Sequence, residues 1–262
     1  MLLNRLLIKA VAPVPKIEKF KTYLFVAPHP DDIEIAVGST VARLAREGKD
    51  VYYLVCTDGR YGTEDENMSP ETLVKIRRDE QRASAKILGV KDVRFLPFED
   101  GGMYDEVALR IEIAKVIAEI KPDVVIGPDH KLYPESHPDH LRVGEAVSKA
   151  YFMCSNVNMM KSVGATQIAK PTVLAYYFTG KPNRFVKITK KDFEKTKAAY
   201  ACFVSQCPPP DNGKSLMLYM RLKVRLNGLR SFHIRADAFR VMNNMHIHCC
   251  GEAEDTAIRR PL

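Results

Sequence analysis

Two short clusters hold the residue types that hydrolytic chemistry needs. HPDD groups His29, Asp31 and Asp32, and HPDH, 108 residues further on, groups His137, Asp139 and His140. Two imidazoles and a carboxylate are a common ligand set for catalytic zinc, which keeps a fourth position open for water. His29, Asp32 and His140 could supply that set. Asp31 and Asp32 are neighbours with diverging side chains, so with Asp32 on the metal, Asp31 is free to accept a proton from the activated water. His137 and Asp139 together make a charge-oriented imidazole able to donate to an oxyanion. A His or Asp at a strand end is often only a helix cap, but capping gives no reason for two His-Pro-Asp clusters to converge.

Convergence has to come from the elements. TYLFVA (22–27), VYYLVCT (51–57), VRFLPF (93–98) and DVVIGPD (123–129) read as strands, with helical segments between them. Ser69 and Pro70 begin one such helix and Gly89 ends it. Another runs from about Asp105 to Ile120. Alternating strands and helices, with strands rich in Val, Ile and Tyr, predict an α/β fold: a Rossmann-like, mostly parallel sheet with helices on both faces. In such sheets ligands bind beyond the carboxyl ends of the strands, where the strand order reverses, commonly between the first strand and the fourth. HPDD leaves the first and HPDH follows the fourth. No G-x-G-x-x-G follows the first strand, which removes the main support for a dinucleotide site. TVLAYYFT (172–179) and RFVKIT (184–189) read as a hairpin around Gly180 and Pro182. The expected layout is an N-terminal extension (1–20) and a single domain (21–262), divided into a Rossmann-like core (21–150) and a small C-terminal α+β extension (151–262).

The 262 residues, 46% of them apolar, suit one globular unit. MLLNRLLIKAVAPVP carries Arg5 and Lys9 and breaks at Pro13, short of the ~20 residues a membrane span needs. It reads as a packing helix, and the protein as soluble and cytoplasmic. Six scattered cysteines suggest reduced thiols. The net charge of +8 is uneven, with 14 Lys or Arg against 4 Asp or Glu in residues 181–240. That basic stretch keeps two alternatives open, a metal-dependent phosphoesterase and a nucleic-acid-binding module. MHIHCCGE (245–252) offers His246, His248, Cys249 and Cys250, and alternation on a strand would point both histidines the same way. No second half of a zinc motif exists elsewhere, so a tail docking on a neighbour is the better reading.

APHPDD paired with HPDH resembles the PIG-L/LmbE-like zinc deacetylases, which remove acetyl groups from N-acetylglucosamine units. TDGRYGT, IRRDEQRASAKILGV and YPESHPDH are also similar to the branch containing the archaeal diacetylchitobiose deacetylases. The resemblance implies a Zn2+ cofactor on His29, Asp32 and His140, with Asp31 as general base and later proton donor to the amine. It implies that His137, oriented by Asp139, stabilises the oxyanion. Arg77 and Asp100 resemble positions that bind sugar hydroxyls or the acetyl carbonyl. A homo-oligomer is implied as well, with His248 reaching the site of an adjacent subunit. The small substrate would be an N-acetylated amino sugar such as N-acetylglucosamine or diacetylchitobiose.

Overall fold

The structure, a computed structural model, describes residues 10–248. Five strands, β1 (Thr22–Ala27), β2 (Asp50–Thr57), β3 (Asp92–Phe98), β4 (Val124–Pro128) and β5 (Val173–Tyr177), run parallel to one another. With β6 (Arg184–Lys187) and β7 (Ala236–Asn243) they form one sheet in the order β3-β2-β1-β4-β5-β7-β6. The sheet continues past residue 150 without a break.

Alternation along the strands sends side chains to two apolar layers. Leu24, Val26, Leu54, Val125 and Leu174 face α3 (Glu106–Ile120) and α4 (Pro138–Met153), meeting Leu109, Ile113, Val143 and Val147. Tyr23, Phe25, Val51, Tyr53 and Ile126 face α1 (Asp32–Arg46) and the end of α2 (Pro70–Leu88), meeting Ile33, Val41, Leu44 and Leu88. A fully buried Leu, Val or Phe contributes about 1.5–3 kcal/mol, so the two layers fix which strand ends lie side by side. Short α5 (Val157–Ser162), α6 (Lys190–Tyr200) and α7 (Lys214–Arg230) complete the chain. The caps behave as read: the Ser69 hydroxyl accepts from Thr72 N–H, Asp105 caps α3, and Gly89 ends α2 in a left-handed conformation.

Two expectations need correction. β5 and β6 do not form a hairpin, because β7 lies between them and pairs antiparallel with both. Every residue of β5 is buried, so both of its edges need strand partners. β7 escapes a sequence reading because Asp237 and Arg240 look unfit for an interior strand. Both are buried on specific partners, Asp237 on Thr40 and Arg240 on Asp129. His246 and His248 are not on a strand either, since β7 ends at Asn243 and a turn follows. Cys249 and Cys250 and residues 1–9 lie outside the described residues.

Candidate metal centre

β1 ends at Ala27 and the chain turns sharply through HPDD into α1. Asp31 takes a left-handed conformation (φ 95°) and makes no side-chain cap to the helix it precedes. Its backbone N–H donates instead to Gln81 Oε1 (3.0 Å), and its carboxylate meets Arg77 Nη2 at 3.3 Å. Asp32 Oδ2 accepts from the His29 backbone N–H at 2.9 Å, which folds the loop back on itself. Neither carboxylate is consumed in capping.

His29 is gripped from behind. Its Nε2 lies 3.0 Å from Asp139 Oδ2 and 3.2 Å from Asp100 Oδ1, so Nε2 carries the proton. In the neutral ring that leaves Nδ1, 3.4 Å from Asp32 Oδ2, as the lone-pair face. His140 Nε2 reaches Asp32 Oδ1 at 3.4 Å, and its Nδ1 is held by Glu135 at 3.1 Å. Both imidazoles therefore have their outer nitrogen fixed by a carboxylate, the arrangement that orients metal-ligating histidines.

Among the described residues, two groups have donor atoms within 4.8 Å of one another: His29, Asp32 and His140, and His29, Asp100, His137 and Asp139. Asp139 is wholly enclosed, and its Oδ2 already accepts from Gly101 N–H at 2.8 Å as well as facing His29. The first group, half-buried at His140, has the two-nitrogen, one-oxygen donor set that suits zinc. Its donor set would suit a divalent ion with a vertex left for water, whereas in the second group His29 Nε2 and Asp139 Oδ2 already face each other at 3.0 Å.

His137 caps α4, and its Nδ1 accepts from the Asp139 backbone N–H at 3.3 Å. The expected carboxylate–imidazole pair is thus corrected. Asp139 orients His137 through its main chain, and its carboxylate serves His29. With Nδ1 accepting, the exposed neutral ring carries its proton on Nε2, where it can donate. The His137 ring stands edge-on to His29 with centroids 4.7 Å apart.

Electrostatics separate the two aspartates. Burial pushes Asp31 up to about 7, against the lowering pull of Arg77. Asp32 is also penalised by burial, but His140 and His29 together hold it well below the usual carboxylate range. Burial lowers His29, yet its three carboxylate partners more than reverse that and raise it. His140 is raised in the same manner, chiefly by Asp32, and burial lowers His137. Behind Asp31, buried Glu34 is pushed up to about 8 while accepting from Gln81 and Ser84.

Arg77 and Asp100 lie in this cluster but not as groups reaching outward. Arg77 is buried, and its Nη1 and Nη2 donate to the carbonyls of Gly59 (3.0 Å) and Pro30 (2.8 Å). Gly59 and Gly62 make room for it, since a Cβ at either would come within 2.4 Å of Nη1. Asp100 is buried against His29, and Asp58 holds its backbone N–H at 3.2 Å. Sequence reasoning missed Asp58, Gln81, Glu34 and Glu135. Asp58 and Glu135 stood inside the quoted motifs TDGRYGT and YPESHPDH, and Gln81 and Ser84 are spaced one helical turn apart on α2. His248 is not brought to this cluster. It packs against Phe152 at the opposite end of the sheet, beyond the start of β5.

The sequence profile described as GlcNAc-PI de-N-acetylase (PIG-L) matches residues 24–151. The chain is 34% identical to the diacetylchitobiose deacetylase of Thermococcus kodakarensis, covering 95% of this chain and 92% of that protein. It is 31% identical to a 1D-myo-inositol 2-acetamido-2-deoxy-alpha-D-glucopyranoside deacetylase of Kineococcus radiotolerans over 61% of this chain and 53% of that one. The N,N′-diacetylchitobiose deacetylase structure from Pyrococcus horikoshii superposes with a TM-score of 0.85 at 30% identity, covering 95% and 94% of the two chains. These relatives lend no support to a phosphoesterase or a nucleic-acid-binding module.

Proposed function

Since the chain belongs to the GlcNAc-PI de-N-acetylase (PIG-L) family, we propose that it is a zinc-dependent hydrolase removing the acetyl group from N-acetylglucosamine-type sugars, either N-acetylglucosamine or diacetylchitobiose. The observation that carries this reading is the convergence of His29, Asp32 and His140 with the unligated carboxylate of Asp31 beside them. Zinc on those three residues would supply a polarised amide carbonyl and a water of lowered pKa. Asp31, poised near neutrality, accepts the proton of the attacking water. It then returns that proton to the amide nitrogen as the C–N bond breaks, giving acetate and a free amine. Arg77 keeps Asp31 in place from the α2 side. His137 donates from Nε2 to the oxygen that gains charge during attack. Asp139 and Asp100 hold His29 by Nε2, so that Nδ1 would be the nitrogen to hold zinc.

A homo-oligomer belongs to the same reading. α7 exposes Leu218, Leu222, Leu226 and Leu229 along one stripe, with Phe232 and Ile234 just beyond it, and such a patch favours a protein partner. His248 can serve as a substrate-binding residue only in the site of a neighbouring chain. No described helix is long and apolar enough to cross a membrane; the free thiols of Cys56, Cys154, Cys202 and Cys207 are in keeping with a cytoplasmic location.

The test combines metal content with acetate release on N-acetylglucosamine, diacetylchitobiose and a phosphate ester. About one zinc per chain, as a three-ligand site requires, and acetate from at least one sugar are expected. A zinc-loaded protein inactive on both sugars would overturn the reading.

A further inference from the structure

Phe178 leaves the carboxyl end of β5 with φ at +50°. Positive φ is rare outside glycine, and for a bulky side chain it is a true outlier. Strain of this kind persists where the surroundings over-determine a conformation, and it collects at functional sites. Here the surroundings are specific. The Phe178 ring lies parallel to the His140 imidazole, with an interplanar angle of 7° and centroids 6.0 Å apart. Tyr177 meets it edge-on at 5.1 Å, and the Tyr177 hydroxyl is anchored on the Val26 carbonyl of β1 at 2.9 Å. The Lys223 ammonium of α7 sits 6.0 Å from the Phe178 centroid while bonded to the Ile35 and Ala36 carbonyls of α1.

We infer that Phe178 is a positioning residue that fixes the ring plane of His140, so that β5, α7 and α1 together set the direction of one metal-facing nitrogen. The inference rests on the reading of His140 as a zinc ligand. Glu135 restrains His140 only at Nδ1, about which the ring can still tilt. A flat neighbour lying parallel to the imidazole removes that freedom and keeps Nε2 directed at Asp32. Glycine at 178 would satisfy the backbone but leave the ring without a support.

The experiment uses Phe178→Ala, Phe178→Leu and Phe178→Tyr in the full chain. Zinc affinity is read by competition with a chromophoric chelator, ligand geometry by the visible absorption of cobalt-substituted protein, and turnover by kcat and KM separately. Ala and Leu should weaken zinc binding about 10–100-fold, the usual range for loss of a group that orients a ligand. They should also alter the cobalt spectrum and lower kcat while leaving KM nearly constant; Tyr should restore all three. Leu holding zinc as tightly as the parent, with an unchanged cobalt spectrum, overturns the inference. So does a rise in KM alone, which would make Phe178 a platform for the sugar. A parent chain that binds no zinc overturns the metal reading itself, an outcome distinct from both.

Discussion

Asp31 and Asp32 are adjacent in the chain, yet their partners place them in different protonation regimes. Asp32 sits between two imidazoles and stays ionised, whereas Asp31 is pushed up to about 7 by burial with only Arg77 opposing. A ligand has to be ionised and a general base works best near the operating pH, so the difference suits two roles. Asp31→Asn should lower kcat by about 10²–10⁴-fold, the usual worth of a positioned acid–base group. Zinc content should remain at the parent level, and its loss would reassign Asp31 as a ligand. Asp139 permits a sharper test, because its backbone serves His137 and its carboxylate serves His29. Asp139→Asn keeps the first and weakens the second, and should reduce zinc affinity about 10–100-fold in a chelator competition. An unchanged affinity would mean that the carboxylate has no part in orienting His29.

At the scale of elements, the site depends on how closely α4 and α1 approach the sheet. Gly144 lets α4 lie against β4, and a Cβ there would come within 2.5 Å of the Pro128 carbonyl oxygen and 3.0 Å of His130. Gly144→Ala should therefore cost about 1–3 kcal/mol of stability, as overpacking does, measured by denaturant unfolding. A neutral result would show that α4 can move away without loss. α1 is kinked at Val37. The Thr40 N–H, which a regular helix would give to Ala36, goes to Asp237 at 2.9 Å, and Lys223 caps the freed Ala36 carbonyl together with that of Ile35. Burial brings Lys223 down to about 8, with Asp237 opposing. Between pH 8 and its unfolded value of roughly 10.4, the folded chain binds fewer protons at Lys223 than the unfolded chain. This group's contribution to stability therefore rises with pH across that window. Lys223→Met should lack the rise, so the stability gap between parent and variant should widen from pH 8 to 10. Parallel curves would mean that Lys223 titrates normally.

For the whole molecule, part of the basic stretch 181–240 has an internal explanation. Arg184 donates to the Val14 and Pro15 carbonyls, Lys195 to Leu88, Lys223 to the α1 kink and Arg240 to Asp129. These cations join the late segments to the core, while Lys181, Lys187, Lys190, Lys191, Lys214 and the α7 arginines Arg221, Arg225 and Arg230 are exposed. Among the described residues, the apolar stripe on α7 leaves its leucines exposed. If it joins copies of the chain, light scattering should give a mass that is a multiple of 29.6 kDa, and Leu222→Glu with Leu226→Glu should reduce it toward one chain. A monomeric parent at working concentration would remove the oligomer and the role of His248 with it.

Much of this was legible in the linear sequence because the signals are local. Strand periodicity, the Ser69 and Gly89 caps and the two His-Pro-Asp clusters each depend on residues within a few positions of one another, and the parallel topology then places both clusters on one crevice. Partners distant in the chain were not legible. Nothing near Asp139 shows that its carboxylate serves His29 instead of His137, and nothing near Phe178 shows that it lies against His140. The buried charges of β7 read as a disqualification until Thr40 and Asp129 stand opposite them. Composition and spacing determined which chemistry the chain can perform. Only the tertiary structure decided which atom faces which, because a hydrogen bond or a ring contact is set within tenths of an ångström by packing that no local pattern records.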